Sequence, residues 1–147
     1  MTGIALRTPP AAALRAEVLR FKRASPRGLV APTLWVGTPG HRSVHAPASL
    51  RGSDDHVRRE VLGTLWDRHA ALAAGQGATA PGLPEEDCLV WITRSGPLEP
   101  ALLDVRWWSA ARSVWEENGL SPAFAVVTRN GWRFEPGDQR REWSRLR

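Results

Sequence analysis

Two short apolar runs limit what this chain can fold into. CLVWITR (88–94) and FAVVTR (124–129) are rich in Val, Ile and aromatic residues, the composition of buried strands. Each closes on the same motif: Thr93-Arg94-Ser95-Gly96 in the first, Thr128-Arg129-Asn130-Gly131 in the second. Between them, Ala101–Asn118 has helical periodicity and is closed by Gly119. On a helical wheel Leu103, Trp107, Trp108, Ala110, Ala111, Val114 and Trp115 share an arc of roughly 160°, wide enough to lie on a sheet. Strand, helix, strand is the βαβ unit, and such crossovers are almost always right-handed. The two runs are therefore expected to be parallel strands whose Thr-Arg ends meet at the carboxyl edge of one sheet.

The rest of the chain adds elements around that core. Thr8 followed by Pro9-Pro10 reads as a helix start, with Thr8 as N-cap, and Leu14, Val18 and Phe21 form one stripe as far as Pro26-Arg27-Gly28. Leu34–Val36 and Arg42–His45 flank Pro39-Gly40, which suits the central positions of a type II turn, so a hairpin is expected there. Ser53-Asp54-Asp55 caps a second helix, with Val57, Val61, Leu65 and Leu72 close to one face, flanked by Leu62, Trp66 and His69, and Gly75 at its end. The Gly/Ala/Pro-rich stretch at about 74–87 has no period and reads as a mobile loop within one domain spanning 1–147. The tail turns at Glu135–Asp138 and ends in a basic segment carrying Trp143 and Leu146. The sum is a single α/β domain: a mixed sheet of roughly four to six strands, an N-terminal helix and hairpin, and a C-terminal βαβ unit.

Composition narrows the function classes. The chain carries 20 basic and 15 acidic residues, net +5, and Lys22 is its one lysine. Guanidinium suits planar recognition of phosphate and carboxylate, although a GC-rich genome gives the same arginine bias along with abundant Ala, Gly and Pro. Cys88 stands alone, so neither an intrachain disulfide nor a cysteine zinc cluster can form, which fits a reducing, cytoplasmic setting. No stretch approaches the ~18 apolar residues of a membrane span, and no signal-peptide h-region opens the chain. His41 and His45, if on a strand, share a face but sit roughly 13 Å apart, too far for one metal. A Gly-x-Ser-x-Gly elbow, a phosphate-binding loop ending in Gly-Lys-Ser/Thr and an acidic-x-Lys nuclease element are all missing. No cofactor, metal or catalytic set is assigned.

Two constellations remain. Thr93, Arg94, Thr128 and Arg129 at the sheet edge form a candidate anion cradle, though the arginines could instead pair with Asp87, Glu99 or Asp104. Arg140, Arg141, Trp143 and Arg145 form a candidate interaction surface, with a second basic cluster at Arg15, Arg20, Lys22, Arg23 and Arg27. The leading expectation is a non-catalytic binding or adaptor module contacting nucleic acid or an acidic protein. One alternative is a small enzyme on a phosphorylated substrate, with Arg94 and Arg129 as clamps and Asp104 or Glu99 as acid/base. The other is a structural subunit of an assembly, which leaves a homo-oligomer open.

Overall fold

The computed structural model describes residues 8–25, 30–75 and 88–144. In chain order these form α1 (Ala11–Ala24), β1 (Thr33–Gly37), β2 (Ser43–Pro47), α2 (Asp55–Gly75), β3 (Leu89–Thr93), α3 (Leu102–Glu117), β4 (Phe124–Val127), β5 (Gly131–Glu135) and β6 (Gln139–Glu142). The strands make one six-stranded sheet in the order β2-β1-β3-β4-β5-β6. β3 and β4 are parallel, as the βαβ reading requires, and every other neighbouring pair is antiparallel. The domain is thus α/β, with the expected N-terminal helix and hairpin ahead of a C-terminal βαβ unit.

Both apolar runs are buried along their whole length because they are the two central strands, covered on each face. On one face α1 places Leu14, Val18 and Phe21 over Trp91, Ala125, Val127, Trp132 and Phe134. On the other, α2 and α3 cover Leu34, Val36, Val90, Ile92, Phe124 and Val126. Trp107, Trp115, Ala110 and Ala111 are buried there, as the α3 arc predicts. Trp107 also donates its indole N–H to the Ala48 carbonyl at 2.7 Å, and Trp66 of α2 meets Trp115 edge-on at 4.3 Å between centroids.

Three local expectations change. α1 begins at Ala11 with Pro10 as its cap, and no side chain caps it, so Thr8 lies outside the helix. Burying α2 turns it away from the expected stripe: Arg58, Leu62, Leu65 and His69 face inward, while Val57 and Leu72 are exposed. The inner stripe keeps Leu65 with the flanking Leu62 and His69 and adds Arg58, which donates to the Ser53 carbonyl at 3.0 Å, so an apolar-only pattern is displaced by part of a turn. The loop expected at about 74–87 lies outside the described residues apart from its first two positions, which are still helical. Other signals hold. His41 N–H closes the Pro39-Gly40 turn onto the Thr38 carbonyl at 2.9 Å, with Gly40 at φ +77°. Asp54 caps α2 through the Val57 N–H at 2.8 Å, and that bond holds its carboxyl below the ordinary value.

The C-terminal hairpin depends on Gly131. A Cβ there would collide with the Arg141 carbonyl oxygen and lie 2.9 Å from Leu98 Cδ1. Backbone on one side and a buried leucine on the other leave no easy relief. Gly131→Ala is expected to destabilise the fold by about 1–3 kcal/mol, the usual cost of overpacking, and to loosen β6 first. Urea denaturation and amide exchange of residues 139–142 would check both.

Candidate functional site

The parallel register decides what becomes of the paired Thr-Arg endings. Thr93 lies opposite Val127, so Arg94 falls beside Thr128 rather than beside Arg129. A slip of one residue reverses the face of every side chain on a strand. The two endings do share the carboxyl edge, but their arginines do not converge.

Arg94 turns to the α3 face and is buried. Its Nε donates to Asp104 Oδ1 at 2.9 Å and one Nη to Asp104 Oδ2 at 2.7 Å. The remaining N–H groups bond to the carbonyls of Ser95 at 3.1 Å, Pro97 at 2.7 Å and Glu99 at 3.2 Å. A guanidinium has five N–H donors, and these five bonds engage all of them. Asp104 also accepts from Arg133 at 3.0 Å and from the Ala101 N–H at 3.0 Å. Of the pairings weighed from sequence, Arg94 with Asp104 is present. It leaves Arg94 no donor, and Asp104 little free oxygen, for a ligand.

Arg133 is the member of this cluster that sequence reading missed. It sits between Trp132 and Phe134 on β5, so alternation sends it to the opposite face, where it is buried. Its Nε donates to the Leu98 carbonyl at 2.8 Å, and Glu135 lies 3.6 Å from another of its nitrogens. A charged residue flanked by aromatic residues in a strand was the available signal. Two guanidiniums against Asp104 leave one positive charge, which Glu135 offsets. Removing one partner of such a buried network costs about 3–5 kcal/mol, because the others are left uncompensated. Asp104→Ala is expected to lose that much by urea denaturation.

The two threonines are also engaged locally. Thr93 accepts the indole N–H of Trp35 at 2.9 Å, supporting a Trp35–Trp91 stack at 6.0 Å. Thr128 closes the β4–β5 turn, its N–H bonding to the Gly131 carbonyl at 2.9 Å. Arg129 is half-buried at the tip of that turn. The next residue, Asn130, accepts the Trp143 N–H at 2.8 Å, so this turn abuts the second constellation.

That second constellation lines a groove of about 500 Å³ between the start of α1 and the β5–β6 hairpin. The volume lies within the ~300–1,000 Å³ range of ligand sites. Its aromatic members are Trp132 and Trp143, with Pro9, Ala11 and Ala12 opposite. Arg15, Arg140, Arg141 and Gln139 supply the polar lining, and none of the described lining residues is acidic. Arg15 thus brings the first basic cluster to the second. Arg20 does not join it: it lies 5.2 Å from the Trp35 ring centroid and 3.8 Å from Glu17.

Alternation on β6 sorts the tail arginines. Arg141 pairs opposite Trp132 and Arg140 opposite Arg133, so the two point to different faces. Arg140 grips Asp138 at 2.8 and 3.0 Å, which holds its charged form more firmly than usual, and it approaches Glu99 at 3.8 Å. Arg141 instead stands 5.7 Å from the Trp143 ring centroid, and among the described residues no carboxylate pairs with it. Arg145 lies outside the described residues.

Among the described residues no three His, Cys, Asp or Glu side chains gather as a metal site, and no helix is long and apolar enough to cross a membrane. Comparison with protein-family models, curated proteins and solved structures finds no match to the chain.

Proposed function

We propose that this chain is a non-catalytic binding module that holds an anionic macromolecule, nucleic acid foremost, in the groove between α1 and β6. The observation that carries the reading is a cleft lined by Arg15, Arg141 and two tryptophans. A basic chain, with a pI of about 11.1, adds a long-range attraction for polyanions. Arg140 contributes less, because Asp138 and Glu99 already answer its charge. A reducing, cytoplasmic setting is part of the same proposal, in keeping with the lone cysteine.

The phosphate-directed enzyme has less support. Arg94 and Asp104, its clamp and its acid/base, are bonded to each other. An assembly subunit with tryptophans awaiting a partner fits no better, since Trp91, Trp107, Trp115 and Trp132 are buried and the other four are half-buried.

Fluorescence anisotropy with single- and double-stranded oligonucleotides, at several salt concentrations, tests the proposal. Affinity should fall steeply with salt as counterions are released. Arg15→Ala/Arg141→Ala should weaken binding and flatten the slope of log K against log salt by about 0.7 per lost contact on a single strand. No binding at low salt would overturn the reading.

A further inference from the structure

Charge alone calls for arginines, yet this groove also carries two indoles. Trp143 is half-buried, with its backbone tied to Asn130 and a guanidinium against its ring. Trp132 is 5% exposed and lines the same cleft. Its indole N–H is buried and has no acceptor among the described residues.

Two indoles and an arginine with no carboxylate partner among the described residues select a particular chemistry. Duplex DNA keeps its bases stacked inside and offers a surface cleft mainly phosphates and groove edges. A single strand can turn a base outward, stack it on an aromatic ring and still bring its phosphates to arginines. An acidic peptide would use the charge and leave both indoles without a role. Resting on the polyanion reading above, we infer that the groove takes one unstacked base of a single-stranded nucleic acid, laid on Trp143, with the flanking phosphates at Arg141 and Arg15.

The test uses the intact chain and changes the ligand. A short single-stranded oligonucleotide is compared with the same strand carrying abasic residues, its blunt duplex, inorganic polyphosphate and polyglutamate, all at one low salt concentration. The abasic strand should bind about five- to 150-fold more weakly than the parent, the value of one stacked base. Only the parent strand should strongly quench tryptophan fluorescence. Trp143→Phe should keep most of the preference for bases, and Trp143→Ala should lose it. Equal binding of the abasic strand, the duplex and polyphosphate would overturn base stacking and leave the polyanion site standing. Preference for polyglutamate would assign the groove to an acidic protein and overturn the inference. Failure of every polyanion would overturn the underlying reading as well.

Discussion

The position of everything beyond β4 depends on one carboxylate. Asp104 sits in the first turn of α3, where it accepts the Ala101 N–H and so fixes the start of the helix. The same oxygens hold Arg94 from the end of β3 and Arg133 from the middle of β5. Arg94 in turn gathers the carbonyls of the β3–α3 connection, and Arg133 takes the Leu98 carbonyl from that same stretch. A loop that would otherwise leave several buried carbonyls unanswered is thereby organised around two guanidiniums. Bonding of this kind gives geometric definition more than net stability, since each ion is desolvated on burial. Here it sets where β5 lies relative to the βαβ unit, and β6 and its groove follow β5.

Seen from the sequence, strongly periodic elements declared themselves and polar interiors did not. The βαβ unit, the α3 arc and the Pro39-Gly40 hairpin were all legible, because burial or turn geometry leaves a residue pattern that needs no partner to read. Arg58, Glu17 and Arg133 were not, although each is buried. Their burial depends on a partner distant in sequence or on a backbone group, such as the Gly40 N–H that donates to Glu17 at 2.8 Å. Apolar residues alone therefore place the buried stripe of α2 part of a turn away from where it lies.

The repeated Thr-Arg endings show the same limit in another form. Local resemblance correctly placed both at one edge of the sheet. Convergence of their side chains is a matter of register, and register is set by the pairing of whole strands. With Thr93 opposite Val127, one arginine enters the interior network and the other is left on a hairpin tip. Similar strings thus acquire dissimilar roles.

Alternation likewise divides the tail. An edge strand rich in charge resists pairing with other chains, and β6, with the sequence QRRE, has that character. Protection against such pairing would account for Arg140 and Arg141 equally well if both faced solvent with nearby carboxylates. They do not share that setting. Arg140 is matched by Asp138 and Glu99 on the α3 side, whereas Arg141 stands beside Trp143 over a cleft that also receives Arg15. Protection of an edge explains the first arginine. For the second, which stands beside Trp143 and Arg15, we propose instead a ligand that brings negative charge and a flat aromatic face to the groove.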